Sequence, residues 1–211
     1  AQAAARGFIV VVPHLSKRNF PGSATYNLGN VFDSVTGPQR DEELWTFALI
    51  EPLFDEVVRR TGSTQRDYVL YGHSAGSQFV HRFMYYMPEA RVSKYIAANA
   101  GWYTMPDFGI EYPYGLMDSG IDADALPSIF AKPLILLQGT ADTETDADNL
   151  RNTPEAKEQG PNRLARGLQM YSVAKANAEL LGADFNWQLF TVKDAHHSNA
   201  KMTPAAAALI N

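Results

Sequence analysis

The run Gly72-His73-Ser74-Ala75-Gly76 restricts this chain more than any other feature. A short apolar strand, Tyr68 to Tyr71, leads directly into Gly72, and Phe79, Val80, Phe83 and Met84 recur at helical spacing after Gly76. Strand, tight turn and helix in that order hold up the hydroxyl of a serine at the apex as a nucleophile. The turn is strained, and Gly72 and Gly76 are expected to remove side chains that would collide with the helix and strand. The helix N-terminus lies behind Ser74, so the backbone N–H of Ala75 can face a developing oxyanion. The alternative is a glycine-rich turn whose serine merely caps the helix; the strand on one side and the helix on the other favour the nucleophile.

The rest of the chain repeats the strand–helix alternation. Phe8 to Val12, closed by Pro13, is a continuous apolar run rich in β-branched residues, and predicts a strand buried on both faces. Residues 13–40, with Pro21, Gly22, Gly29, Gly37 and Pro38, predict a long loop. Phe47, Ile50, Phe54, Val57 and Val58 predict a helix over 41–60 that ends before Gly62 and is kinked or split by Pro52. Strands are predicted at 92–98, 133–138 and 185–192. Pro161 is expected at the first position of a helix that carries Leu164, Leu168 and Tyr171 and stops at Gly182, and Pro204 is expected to open a last short helix. Such alternation implies a mostly parallel sheet with helices on both faces.

Composition narrows the chemistry. The 211 residues suit one domain, and cysteine is absent, which excludes disulfides, thiolate metal sites and a cysteine nucleophile. A formal charge of −5 gives no basic footprint for nucleic acid. No apolar run approaches the ~20 residues of a membrane span, and no signal peptide is visible. Cytoplasmic and secreted bacterial settings are both compatible with this composition, and no feature specifies an oligomer. No metal or cofactor is expected: Asp142, Glu144, Asp146 and Asp148 alternate as in a calcium loop, but Ala147 and Thr153 stand where such a loop has its glycine and its glutamate.

A serine needs a base. Of the five histidines, His73 sits inside the turn, His81 on the following helix and His14 after the first predicted strand. After such a turn the partners follow in the order acid, then histidine, with the histidine on a loop after the last strand. The pair His196-His197 fits that position; His197 is preferred, with His196 as the alternative. The acid is sought after the strand at 133–138. There the run Gly139-Thr140-Ala141-Asp142 presents Asp142 from a glycine turn, and Glu144, Asp146 and Asp148 read as a solvated loop.

These three segments resemble the triad signatures of the α/β-hydrolase superfamily, and are most similar to bacterial serine hydrolases of the polyhydroxybutyrate-depolymerase and feruloyl-esterase-like group. Gly7-Phe8-Ile9-Val10-Val11-Val12-Pro13 and Asn99-Ala100-Gly101-Trp102-Tyr103 resemble that group too. The resemblance spans about residues 7–204. It implies an α/β-hydrolase fold and supports His197 over His196 and Asp142 over its neighbours. Family members carry an earlier strand and a His-Gly-type oxyanion loop before the segment matching 8–12. By that comparison, residues 1–211 are expected to be one hydrolase domain that is N-terminally truncated, with the N-terminal strands and the second oxyanion donor missing.

Residues 101–131 fall where this fold places specificity insertions. Trp102, Tyr103, Phe108, Tyr112, Tyr114 and Met117 are candidates for an apolar wall over Ser74, or rings that pack the insertion down. Trp102 and Tyr103, nearest the end of a strand, are the preferred substrate contacts, and Tyr26 and Phe20 are candidates for the opposite side. The expected function is cleavage of a carboxylic ester, in a small-molecule or polymeric substrate, through Ser74, His197 and Asp142 and an acyl-enzyme, with Ala75 N–H at the oxyanion. The alternatives are an amide, thioester or lactone bond, or a non-catalytic binding protein of the same fold.

Overall fold

The computed structural model describes residues 2–34 and 37–210. Ala1, Val35 and Thr36 in the expected loop, and Asn211 lie outside the described residues. Four parallel strands form one sheet in sequence order: β1 (Tyr68–His73), β2 (Val92–Ala98), β3 (Leu134–Gly139) and β4 (Gln188–Val192). The helices are α1 (Gln2–Arg6), α2 (Gly22–Thr25), α3 (Ile50–Thr61), α4 (Ala75–Tyr86), α5 (Leu126–Phe130), α6 (Pro154–Glu158), α7 (Arg163–Leu181) and α8 (Asn199–Ala208). This is an α/β-hydrolase architecture.

Side-chain alternation along the strands divides the core in two. Tyr95, Ala97, Leu134 and Leu136 face the larger cluster, with Phe79, Phe83 and Met84 of α4 and Met170, Ala174 and Ala178 of α7. Ile96, Ala98, Ile135 and Leu137 face the other side, against Met202 and Ala206 of α8. Because both faces are covered, β3 is buried along its whole length, as its apolar run Leu134 to Leu137 requires. The parallel register carries the C-terminal ends of β1, β2 and β3 to one edge, so the loops after His73, Ala98 and Gly139 meet there.

Several expectations change. Phe8–Val12 forms no strand: residues 9–12 carry no regular secondary structure and are 44–82% exposed. A strand exists only as part of a ladder, and among the described residues none pairs with this run. The helix expected from 41 begins at Ile50, after two 3₁₀ turns at Glu42–Leu44 and Phe47–Leu49. Pro52 therefore falls in its first turn, where a missing N–H costs no hydrogen bond, and no kink is needed. Pro161 is not the first residue of α7, which begins at Arg163; Asn162 caps it, its side chain accepting from Ala165 N–H at 2.9 Å. Pro204 lies inside α8, which already begins at Asn199.

Candidate active site

Ser74 occupies a backbone conformation that side chains rarely adopt, φ 57°, between the end of β1 and the start of α4. Its N–H donates to Ala98 O at 2.9 Å, which ties the turn to β2. Its hydroxyl does not cap α4, against the alternative of a simple capping serine. A strained residue held by its surroundings is a feature of functional sites. The crowding that demands glycine is at Gly72, where a side chain would come within 3.0 Å of the Gly76 carbonyl. Gly76 differs from expectation: a side chain there would meet only the Tyr26 hydroxyl at 3.6 Å, an ordinary contact. Ala75 opens α4, so its N–H is one of the first-turn donors that no carbonyl of the helix can reach.

The structure joins Ser74, His197 and Asp142 into one chain. The Ser74 hydroxyl lies 2.9 Å from His197 Nε2, and His197 Nδ1 lies 2.8 Å from Asp142 Oδ2. An ionised carboxylate only accepts, so Nδ1–H donates to Asp142 and Nε2 is left to accept from the hydroxyl. Asp142 is buried, whereas Glu144, Asp146 and Asp148 are exposed. His196 is exposed and makes none of these contacts.

The loops carrying Asp142 and His197 are laced together. Thr140 N–H donates to Val192 O at 3.0 Å, Ala141 N–H to Ala195 O at 3.0 Å, and Asp194 N–H to Thr140 Oγ1 at 2.9 Å. The Tyr71 hydroxyl donates to Asn199 Oδ1 at 2.7 Å, which fixes the far end of the histidine loop to β1. Asn99, itself at φ 50°, accepts from Gly139 N–H at 2.8 Å and so joins the ends of β2 and β3.

Two further side chains complete the electrostatics. The His73 ring packs on His197 with centroids 4.7 Å apart. Burial, with the His197 imidazole beside it, pushes His73 down to about 4. On the other side Arg163, at the first position of α7, places Nη1 3.5 Å from Asp142 Oδ1, both side chains being buried. Neither residue was singled out from sequence. For Arg163 a signal existed: a cation at a helix N-terminus opposes the macrodipole and calls for a compensating anion. His81, the remaining histidine near the turn, is fully buried, with Nδ1 3.0 Å from Ser77 O and Nε2 accepting from Thr104 N–H.

The aromatic segment packs inward. Trp102 and Tyr103 are 4% and 0% exposed, which corrects the expectation that they face substrate. The Arg82 guanidinium covers the Trp102 ring at 4.1 Å, and the Tyr103 hydroxyl accepts from Gln138 Nε2 at 3.1 Å. Tyr112 and Tyr114 are buried too, while Met117 is exposed and Phe108 half-buried. Tyr26, the candidate for the opposite side, is half-buried, its ring tilted against that of Phe79 with centroids 5.9 Å apart.

No protein-family model matches the chain, and no curated protein sequence matches it. Solved structures do. Poly(aspartic acid) hydrolase-1 from Sphingomonas sp. KT-1 is 49% identical over 96% of this chain and 76% of its own, with a TM-score of 0.93. LpqC, a poly(3-hydroxybutyrate) depolymerase from Bordetella parapertussis, is 35% identical over 99% of this chain and 70% of its own, with a TM-score of 0.91. At those identities and coverages shared ancestry extends over nearly the whole chain, which therefore belongs to the α/β-hydrolase superfamily, among the serine hydrolases of carboxylic-ester hydrolase type.

Proposed function

We propose that this protein cleaves a carboxylic ester in an oligomeric or polymeric substrate, with Ser74 as nucleophile, His197 as general base and acid, and Asp142 as the group that orients His197. The observation that carries the reading is the unbroken sequence of contacts from Ser74 Oγ to His197 Nε2 at 2.9 Å and from His197 Nδ1 to Asp142 Oδ2 at 2.8 Å. Ser74 Oγ attacks the carbonyl carbon as its proton passes to Nε2. The oxyanion forms beside the α4 N-terminus, where Ala75 N–H donates to it. Collapse breaks the ester C–O bond, and the imidazolium returns the proton to the leaving alkoxide as the alcohol departs. Water, deprotonated by His197, then attacks the acyl-enzyme; the acid leaves and Ser74 regains its proton.

The similarity to a poly(3-hydroxybutyrate) depolymerase supports an ester backbone. A second reading, amide cleavage, draws on the higher identity to a poly(aspartic acid) hydrolase, whose named polymer is joined by amide bonds. The buried Trp102 and Tyr103 are assigned to supporting the site from beneath, not to contacting substrate.

The test is labelling of the full-length protein with a fluorophosphonate and mapping of the adduct, followed by turnover of 3-hydroxybutyrate oligomers and of poly(aspartic acid) side by side. An adduct on Ser74 with oligoester turnover supports the first reading. Turnover of the polyamide alone selects the second. No adduct on Ser74 overturns both and leaves a binding role for the fold.

A further inference from the structure

We propose that Arg163 is a positioning residue of this site: its buried guanidinium is the fixed counter-ion of Asp142 and opposes protonation of the Asp142–His197 pair. The inference rests on the reading of Ser74 as the nucleophile. The two oxygens of Asp142 are divided, Oδ2 to His197 Nδ1 at 2.8 Å and Oδ1 to Arg163 Nη1 at 3.5 Å. Side-chain exposure is 1% for Arg163 and 2% for Asp142, so water screens this pair little. Arg163 Nη2 donates to Asn149 Oδ1 at 2.7 Å, which sets the plane of the guanidinium. The next residue, Leu164, donates its N–H to Asp142 O at 3.2 Å. One turn of α7 thus grips both the carboxylate and the backbone of Asp142.

The local cost of this placement argues for a role. A guanidinium at the first position of a helix faces like partial charge, and a buried one is costly without an anion. Among the described residues, Asp142 is the carboxylate within 4.0 Å of Arg163. Arg163 Nε and Nη1 have no hydrogen-bond partner there, so the contact with Asp142 is an ion pair and not a hydrogen bond.

Other groups face the same pair from each packed element. His73, at the end of β1, stacks on His197 and, pushed down to about 4, is neutral above that pH. Tyr103, from the segment after β2, lies near Asp142, and burial raises its hydroxyl, so it stays protonated. Arg166 on α7 faces Arg163, but its guanidinium donates to the carbonyls of Gly160, Gly101 and Arg151. Arg163 is therefore the cation set directly on the carboxylate.

The sign follows. A positive charge beside Asp142 offsets the attraction of the carboxylate for a proton on His197. Without it, the Asp142–His197 pair holds its proton to higher pH. This is true whether that proton sits on the imidazole or on the carboxyl, since the pair titrates as a unit. The base works only after that proton has left, so the acidic limb of activity moves upward.

The experiment is the rate of fluorophosphonate labelling of Ser74 against pH, with thermal stability, for the full-length protein and its Arg163→Met, Arg163→Gln and Arg163→Lys variants. The uncharged variants are expected to move the acidic limb up by about one pH unit. Labelling at a pH on that limb then falls ~10-fold, while labelling on the alkaline plateau changes far less. Arg163→Lys, which keeps the charge, is expected to bring the limb back towards wild type even if it melts lower. Should Arg163→Met fail to fold, Arg163→Gln carries the same test. A folded uncharged variant with an unshifted limb overturns the role of Arg163, leaving only an anchor for the Asn149 loop. Absence of wild-type labelling at Ser74 overturns the hydrolytic reading itself, a result distinct from an unshifted limb.

Discussion

The carbonyl of Ala195 occupies the space that a side chain on Gly139 would fill, within 3.0 Å of where its first carbon would stand. Gly139 ends β3 and begins the loop of Asp142; Ala195 lies within the loop of His197, two residues before it. The spacing of the Asp142 and His197 loops is therefore held at this point by a backbone-to-backbone approach that leaves no room for a side chain.

Gly139→Ala must push the two loops apart, because the atom it meets is backbone and cannot rotate away. Overpacking of this kind costs about 1–3 kcal/mol. A shift of about 1 Å in the proposed base should lower kcat/KM roughly 10²-fold. Denaturant unfolding and ester turnover on the same preparation check both. A variant with wild-type stability and turnover would show that the loops are positioned by other contacts.

The two adjacent histidines give a sharper test. His197 contacts both Ser74 and Asp142, whereas His196 is exposed. His197→Gln is expected to reduce turnover by more than ~10³-fold, and Asp142→Asn by ~10⁴-fold, because it removes the carboxylate that fixes the tautomer. His196→Gln should stay within about twofold of wild type, as expected of a surface change away from the chemistry. Steady-state rates with one aryl ester decide it, and a reversal between His196 and His197 would reject the assignment.

That Ser74, Asp142 and His197 would meet was legible from local context: a glycine turn after a strand for Ser74 and Asp142, a loop after the last strand for His197. What escaped was whatever depends on a distant partner. Phe8–Val12 has the composition of a buried strand, but composition cannot supply a neighbouring ladder, and residues 9–12 lie unpaired and exposed. Pro204 looked like a helix opener because proline fits there, yet α8 accommodates it in its interior. Gly76 looked like a steric necessity, yet the crowded position is Gly72. Trp102 and Tyr103 looked like a pocket wall because aromatics suit pockets and cores equally. Arg82, which decides the matter by covering Trp102, comes from α4, twenty residues earlier in the chain.

Tyr103→Phe separates packing from substrate contact. The lost hydroxyl leaves Gln138 Nε2 without its acceptor in a fully buried place. An unsatisfied buried donor costs about 1–3 kcal/mol. The expected result is a lower melting temperature with KM unchanged for every substrate tried. A raised KM at unchanged stability would restore Tyr103 to the substrate surface.

Stability should fall in acid, and two histidines account for a definable part of the fall. His81 is enclosed, Nε2 accepting from Thr104 N–H and Nδ1 donating to Ser77 O, so the folded ring has no place for a second proton. Burial, with Arg82 beside it, pushes it well below the usual value. His73 is lowered to about 4 by burial and by His197. Unfolded histidine takes a proton near pH 6.5. Below that pH the unfolded chain binds protons that the folded chain refuses, so stability present above about 6.5 is lost as pH falls. The His73 share levels off near 4 and, for a half-exposed ring, amounts to about 1–2 kcal/mol. The His81 share continues lower, with a slope up to about 1.4 kcal/mol per pH unit. His81→Gln keeps a donor and an acceptor but does not titrate. Its unfolding free energy, measured from pH 7 to 5, should decline less steeply than wild type by up to that slope. Parallel curves for the two proteins would mean that folded His81 accepts its proton as readily as the unfolded chain does.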